Sequence, residues 1–508
     1  MRIPLDCDSP VPLYQQIQQF LREQIQSGTL PAETQLPATR KLADSLGLSR
    51  MTVTNAYAEL EAEGLIYSRR GSGTFVAPPL PDLPRPESEP STAVDWPLWQ
   101  QQLLTNTWVS AHGELDQMKA SVSRADTIRF SAGLGAGDMF PADEFRRTLQ
   151  AVLRRDGPAC LGYGDRHGYS PLRETIAHIL TSQGVPTHPD HVLITSGSQQ
   201  ALALVAWTLL RPGDVVMVES PTYTGAIDLF RSLDVRLLGV PLDEEGMQVE
   251  RVEEGLRTSR PRLIYTVPTF HNPTGTCMSG YRRRQLIALA ERYNVPIMED
   301  DFVGDLRYEG CAQPALKALA PPGRVIYVRT FSKMLIPGLR VGFLVAEGPV
   351  YERLVACKRT SDLASSSLTQ RALEAYIAVG RYQSHLRRVC QEYRHRRDVM
   401  LKALARYTPD GASWRSPHGG LFIWPQLPAG VSAMRLYPLA AEEGVTFAPG
   451  PLFSPCGCAQ DCARLNFTTH PPDVIEKGIH RLGRALERCL ALQESEAAAA
   501  PRQQAVVV

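Results

Sequence analysis

The chain has 508 residues, 43% hydrophobic and 21% charged, the balance of a soluble globular protein long enough for more than one domain. Its formal net charge of +1 gives no global pull towards nucleic acid or an anionic membrane surface. The start, Met1-Arg2-Ile3-Pro4-Leu5-Asp6, lacks the apolar core of a signal peptide. The most apolar run, Ala201 to Leu210, is too short to cross a bilayer, and ten cysteines lie at no framework spacing. The expectation is a cytoplasmic protein with free thiols and no membrane role.

Pro12 to Gln26 carries Leu13, Ile17, Phe20, Leu21 and Ile25 at helical spacing and is closed by Gly28. Leu36 to Ser49 reads as a short helix ended by a glycine turn. Ser49 is placed to cap a third helix, Arg50 to Ala62, that buries Val53, Ala56, Tyr57 and Leu60. The first turn of that helix leaves Arg50, Thr52 and Thr54 available to a partner. Leu65 to Val76 follows as a two-stranded hairpin with a basic, glycine-rich tip at Arg69-Arg70-Gly71. A helix–turn–helix with a basic wing is the geometry that puts one helix end into the major groove of double-stranded DNA.

Residues 1–77 hold seven Lys/Arg and eight Asp/Glu, so this module is not basic overall. The charges are sorted: Arg40, Lys41, Arg50, Arg69 and Arg70 fall on the candidate DNA face, and Glu59, Glu61 and Glu63 at the far end of the third helix. A small helical protein-interaction domain is the alternative.

Residues 78–95 form a linker. Pro78, Pro79, Pro81, Pro84, Pro86 and Pro90 exclude a helix or a central strand and predict an extended, semi-rigid spacer. From about residue 190, apolar strands alternate with amphipathic helices. His191–Thr195, Asp214–Val218, Arg262–Thr266, Val295–Met298 and Arg324–Val328 predict a mostly parallel sheet, with ligands expected beyond its carboxyl ends.

The candidate chemical residues all follow those strands. Thr330-Phe331-Ser332-Lys333 ends the last one, with Arg340 seven residues after the lysine. A lysine at the end of a buried strand is suited to a Schiff base with a carbonyl if it loses its charge, and the hydroxyls and Arg340 suit a phosphate. Taken alone, the segment is equally an ordinary turn with a surface lysine. Ser196-Gly197-Ser198-Gln199-Gln200 opens a helix whose exposed amides attract a phosphate. Glu219-Ser220-Pro221-Thr222-Tyr223 and His271-Asn272-Pro273-Thr274-Gly275 are turns after two other strands. Glu299-Asp300-Asp301 places three carboxylates together, which calls for a cation. A metal is one such cation and a protonated ring nitrogen another. Cys456, Cys458 and Cys462 provide three thiols with no obvious fourth ligand, weak evidence for a metal site.

Ser332-Lys333 with Pro337-Gly338-Leu339-Arg340 resembles the pyridoxal 5'-phosphate (PLP) lysine segment of fold type I aminotransferases, in the kynurenine/2-aminoadipate branch. Together with the N-terminal module, the chain resembles the MocR family over about residues 10–490: regulators that fuse a GntR-type winged helix to an aminotransferase-like domain. The resemblance implies residues 1–77 as winged helix, 78–95 as linker, 96–390 as large PLP-binding domain and 391–493 as small α/β domain, and the alanine-rich composition of 494–508 predicts a disordered tail. It implies Lys333 as the Schiff-base lysine, Asp300 (or Asp301) at the pyridine nitrogen, Asn272 at the phenolic oxygen and Tyr223 stacked on the ring. Ser198, Gln199, Thr330, Ser332 and Arg340 would surround the phosphate. Tyr163, in Leu161–Gly168, would reach the phosphate of a second subunit and so implies a homodimer. Arg464 would bind a substrate α-carboxylate.

The same resemblance makes Arg40, Ser49, Arg50, Thr52, Arg70 and Gly71 the expected DNA contacts. One position departs from it. Phe302 stands where a tyrosine hydroxyl would meet the cofactor oxygen, which favours sensing over turnover. The expectation is thus a PLP-dependent regulator of a DNA operator, responding to an amino compound or to PLP. The alternative is an active aminotransferase of aminoadipate or aromatic type with a DNA-binding appendage.

Overall fold

The computed structural model describes residues 3–6, 9–69, 71–78, 100, 118 and 126–499, with side chains to 495. The chain divides into two compact units, Met1–Thr105 and Asn106–Val508. Arg70 and most of the proline-rich linker lie outside the described residues.

The first unit contains α1 (Leu13–Gln26), β1 (Gln35–Leu36), α2 (Thr39–Leu46), α3 (Arg50–Ala62), β2 (Ile66–Arg69) and β3 (Gly73–Val76). The apolar stripes meet in one core: Ile17 and Leu21 of α1, Leu42 of α2, and Val53, Ala56 and Leu60 of α3, closed below by Leu36, Ile66 and Val76. Gly47, at φ 67°, ends α2 in the left-handed conformation that glycine adopts without a Cβ penalty. Ser49 caps α3, its Oγ accepting the Thr52 N–H at 3.2 Å. Arg22 of α1 grips Glu63 at the end of α3 (Nε–Oε2 3.0 Å, Nη2–Oε1 2.5 Å) and fixes the angle between the two helices. The expected two-stranded wing is a three-stranded antiparallel sheet, in the order β1-β3-β2. Two-residue β1 is too short to leave a periodic signal, so it went unseen in the sequence.

The second unit is built on an eight-stranded sheet. Its strands are β5 (Val192–Thr195), β6 (Val215–Ser220), β7 (Arg236–Asp243), β8 (Gly246–Met247), β9 (Leu263–Thr266), β10 (Ile297–Asp301), β11 (Val325–Thr330) and β12 (Gly342–Val345). The order is β5-β12-β11-β10-β9-β6-β7-β8. β7, β6, β9, β10 and β11 pair in parallel, and β12 runs antiparallel between β11 and β5. The near-continuous burial of β5, β6, β9, β10, β11 and β12 is that of a sheet covered on both faces, whereas β7, towards one edge, is largely half-buried or exposed. The covering helices are α4 (Ala142–Asp156), α5 (Ser170–Ser182), α6 (Ser198–Leu209), α7 (Thr224–Ser232), α8 (Val249–Ser259), α9 (Gly280–Arg292), α10 (Leu316–Leu319), α11 (Pro349–Asp362) and α12 (Ser367–Ala378). Helix α13 (Arg381–Tyr407) then leads into β13 (Phe422–Ile423), α14 (Ala433–Glu442), β14 (Val445–Thr446), β15 (Ala448–Pro449), β16 (Ala463–Asn466) and α15 (Pro472–Ala499).

Three findings alter the sequence picture of this unit. The boundary expected at residue 390 falls inside α13, one unbroken helix. β4 (Ile128–Arg129), far upstream, pairs in parallel with β14 and so joins the C-terminal layer. The tail expected from residue 494 is helical as far as Ala499, because α15 simply continues. The thiols are not all free either. Cys456 and Cys458 are joined by a disulfide, whereas Cys160, Cys277, Cys311, Cys357, Cys390 and Cys462 remain thiols. Among the described residues no helix is long and apolar enough to cross a membrane.

Candidate functional site

At the carboxyl ends of the parallel strands lies a cavity of about 310 Å³. Six of the residues expected from the sequence line it: Ser198, Tyr223, Asn272, Asp300, Lys333 and Arg464. Phe302, singled out as a departure, lines it too.

Lys333 leaves β11 in a turn held by the Leu335 N–H on Phe331 O (3.0 Å). Burial, and then the charges of Arg464 and Arg340, draw its amine down to about 8, so about a tenth of it is the neutral nucleophile at pH 7, far more than for an ordinary lysine. Asp300, at the end of β10, is buried, and this pushes its carboxyl up to about 7. Tyr265 Oη donates to its Oδ2 at 3.0 Å, and its Oδ1 has no partner among the described residues. A buried carboxylate oxygen left open beside a cavity fits a cationic ring nitrogen.

Of the three adjacent carboxylates, Asp300 alone lines the cavity among the described residues, and the other two have partners elsewhere. Glu299 accepts the Leu316 and Lys317 amides at 2.9 Å each. Asp301 accepts from Tyr327 Oη and lies 3.8 Å from Arg329, whose main partner is Asp305. The three acids in sequence therefore do not crowd one cation, because alternation along β10 sends Glu299 and Asp301 away from the cavity.

Two turns carry the next pair of residues. Tyr223 lies over Gly225, where a Cβ would come within 2.5 Å of the phenol. Tyr223 Oη donates to Gln199 Oε1 (3.2 Å), and Gln199 Nε2 donates to Gly225 O (3.0 Å). The Gln199 side chain thus holds the tyrosine turn and does not line the cavity. Asn272 Oδ1 accepts from Arg464 Nη1 at 2.9 Å, leaving its amide N–H groups as donors. Behind both turns Glu219 accepts Thr266 Oγ1 (2.6 Å) and the Val267 N–H (2.9 Å). His271 Nε2 stands 3.3 Å from the Glu219 carboxylate, a contact without hydrogen-bond geometry that braces one turn on the other.

Thr330, Ser332 and Arg340 stand behind the wall. The two hydroxyls bond each other at 3.0 Å. Arg340 Nη2 donates to Ser196 O at 2.9 Å and lies so close to Gly197 that a Cβ there would fall 2.6 Å from it. With φ 86°, Gly197 is a position that only glycine fills without strain. The guanidinium is thereby set beside the N-terminus of α6, which favours an anion. Tyr163 is 90% exposed and does not line the cavity.

Arg464, on β16, lies between the rings of Phe422 (4.2 Å) and Phe453 (4.8 Å). Its Nη2 donates to Ser131 O at 2.8 Å, and its Nε has no partner among the described residues. Burial draws this guanidinium down to about 9. The sequence reading missed the segment opposite, Ser131-Ala132-Gly133-Leu134, which forms one wall with Thr224, Val267 and Phe422. Asn466 Nδ2 holds that segment by donating to Ala132 O and Leu134 O, both at 2.8 Å. Its small, glycine-rich composition after β4 was the available signal.

In the first unit, Arg40, Ser49, Arg50 and Gly71 are exposed and Thr52 half-buried. Among the described residues no carboxylate pairs with Arg40 or Arg50. The Ser49 and Thr52 hydroxyls bond each other at 2.8 Å. Gly71, at φ 78°, turns the wing with open space around its Cα.

Residues 13–76 match the family of bacterial regulatory proteins, gntR family, and residues 130–482 match aminotransferase class I and II. The chain is 34% identical to an uncharacterized HTH-type transcriptional regulator, YisV, of Bacillus subtilis strain 168, over 95% of this chain and 97% of that protein. It is 32% identical to the probable rhizopine catabolism regulatory protein MocR of Rhizobium meliloti, over 98% and 99%. Its second unit resembles the crystal structure of LysN, the α-aminoadipate aminotransferase of Thermus thermophilus, complexed with N-(5'-phosphopyridoxyl)-L-leucine. The TM-score is 0.71 at 36% identity, covering 78% of this chain and 99% of that one.

Proposed function

We propose, from the premise that the chain belongs to the MocR family, in which a GntR-type winged helix is joined to a class I and II aminotransferase domain, that it is a PLP-dependent, DNA-binding transcriptional regulator. One observation carries the reading. The same chain holds an exposed helix start suited to DNA and a lysine-bearing cavity whose Asp300 Oδ1 lacks a partner.

The donor set fits PLP, which when bound supplies an amine-reactive aldehyde on an electron-withdrawing ring. Lys333 provides the attaching amine. Asp300 would keep a proton on the cofactor's ring nitrogen, Asn272 would donate to its phenolic oxygen, and Tyr223 would pack against the ring. Ser198, the Gln199 main chain and Arg340, backed by Thr330 and Ser332, bound the phosphate. Tyr163 serves the phosphate of a second copy, so the working form is a homodimer. Arg464 pairs with a carboxylate on the sensed molecule.

On the DNA side, Arg50 reads a base edge and Arg40, Thr52, Ser49, Gly71 and Arg70 contact the backbone. An amino compound, or PLP itself, shifts operator affinity by its differential affinity for two arrangements of the units and by no more. The setting is the cytoplasm, where the operator is.

A turnover aminotransferase is the second reading, favoured by the intact charged set of Lys333, Asp300 and Arg464 in one cavity. The deciding experiment is a footprint of purified protein on the DNA upstream of its own gene, for wild type and Lys333→Ala, with and without PLP. Protection that requires both PLP and Lys333 is expected. Protection under no condition, with amino-group transfer to a 2-oxo acid, would replace the regulator by the enzyme.

A further inference from the structure

Resting on the reading above, we infer that Cys456 and Cys458 form a reversible redox switch: thiol–disulfide exchange in the loop that backs Arg464 and Tyr223 sets how tightly the cavity holds PLP. The sequence predicts free thiols, and the structure instead joins these two across a single glycine, with Cα atoms 5.6 Å apart. A link that closes so short a loop removes little entropy from the unfolded chain, so it contributes little as a staple. Both cysteines are exposed, and a thiol in solution can reach either sulfur. In the cytoplasm proposed above, a disulfide of this kind is made and broken rather than permanent. Cys462, four residues further on, keeps its thiol, and burial pushes that thiol up to about 12, which withholds the thiolate that exchange requires.

The pair reaches the cavity through a few residues. Ser454 Oγ accepts the Cys458 N–H at 3.0 Å and lies 3.3 Å from Cys456 Sγ. Phe453, just before it, is fully buried, with its ring centroid 4.8 Å from the Arg464 guanidinium and 5.8 Å, edge-on, from the Trp424 ring. Phe453 O accepts the Thr222 N–H at 2.7 Å, and Thr222 precedes the Tyr223 that lines the cavity. Pro455 O accepts from Arg231 Nη2, on α7, at 3.1 Å. With the disulfide closed, the Ser454 bonds fix the turn that follows Phe453. With it open, both cysteines regain conformational freedom, and the turn loosens behind Arg464 and beneath Tyr223.

The exchange balances with a thiol as reductant. Its thiolate attacks one sulfur of the pair, the Cys456–Cys458 bond breaks, and the leaving sulfur takes up a proton. A second reductant thiol then attacks the mixed disulfide, so that two protein thiols form and the reductant departs as its own disulfide. A low-molecular-weight disulfide drives the same steps in reverse.

The test uses full-length protein treated with glutathione disulfide or with dithiothreitol, then freed of reagent under nitrogen and titrated with PLP. Peptide mass mapping should find the segment holding Cys456 and Cys458 two hydrogens lighter in the oxidised form. That form should bind PLP at least about fivefold more tightly, read from cofactor absorbance. Cys456→Ser combined with Cys458→Ser should give the affinity of the reduced wild type after either treatment, and Cys462→Ser should respond as wild type does. Equal affinity in the two forms, two thiols in that segment after oxidation, or a redox response that survives the double substitution would overturn this inference and leave the regulator reading standing. A protein that binds PLP in neither form would remove that reading and this inference with it.

Discussion

The two units present their candidate residues in opposite ways. In the winged helix, Arg40, Arg50 and Gly71 stand on the surface, their elements are complete within residues 13–76, and the core beneath is apolar. In the cavity Asp300, Asn272 and Arg464 are buried, and the bonds that hold the site join residues far apart in the chain. Arg464 bonds Asn272 across 192 residues, and Asn466 bonds Leu134 across 332. A DNA-facing side chain can therefore be removed with little cost to the fold. A cavity side chain cannot, because its removal strands a buried partner.

The largest test of that contrast is Asp300→Ala. It removes the buried carboxylate proposed to pair with the cofactor ring and leaves Tyr265 Oη without its acceptor. Losing one side of a buried ion pair costs about 3–5 kcal/mol, so PLP should be held roughly 100-fold or more weakly, as measured by equilibrium dialysis. The apoprotein should also lose about 1–3 kcal/mol of stability, the cost of stranding the Tyr265 hydroxyl. A variant that retains PLP at wild-type affinity would remove Asp300 from the site.

Arg50→Ala is the matching change in the other unit. A bidentate base contact is worth about 1–3 kcal/mol, so specific operator affinity should fall roughly 10- to 100-fold. Melting temperature and cofactor absorbance should stay at wild-type values, because Arg50 is exposed and unpaired among the described residues. Equal losses of stability and affinity would mean that the DNA face is tied to its core as tightly as the cavity is.

This contrast also explains what the sequence disclosed. Helix α3 was bounded at Arg50 and Ala62 from its cap and stripe alone, since helices are set by neighbours three and four positions apart. Strands β5, β6, β9, β10 and β11 were found as apolar runs, and Lys333, Asp300 and Asn272 lie at or just beyond their ends. β12 is the antiparallel strand between β11 and β5 and has no signal beyond four buried residues. The pairing of β4 with β14 joins segments more than 300 residues apart, and no local pattern encodes it. The Ser131–Leu134 wall carried only its small, glycine-rich composition as a signal, because its place depends on Arg464 and Asn466. Gln199 was expected at the phosphate, and its side-chain amide is engaged by Tyr223 and Gly225, a pairing with no local sequence signal.

A smaller effect separates burial from exposure by pH. Lys333 is drawn down to about 8 from an ordinary lysine value of 10.5. Below that point the amine is protonated and cannot attach an aldehyde. The rate at which apoprotein takes up PLP should rise with pH, by up to about tenfold per unit, and level off near pH 8. A rate still climbing beyond pH 10 would mean a solvated lysine, no different in kind from Arg50 on the surface.

Ser49→Ala is the smallest and the most discriminating change. Ser49 was expected at the DNA, yet its Oγ accepts the Thr52 N–H and bonds the Thr52 hydroxyl, so it is already spent as a helix cap. Removing the cap should lower the stability of the winged helix by about 1 kcal/mol, read from its denaturant midpoint. The operator affinity should fall far less than with Arg50→Ala, because any phosphate contact here comes from main-chain amides at the start of α3, which alanine retains. A loss of affinity as large as that of Arg50→Ala, with an unchanged midpoint, would assign the hydroxyl to DNA and show that surface display reaches even to the residue that starts the helix.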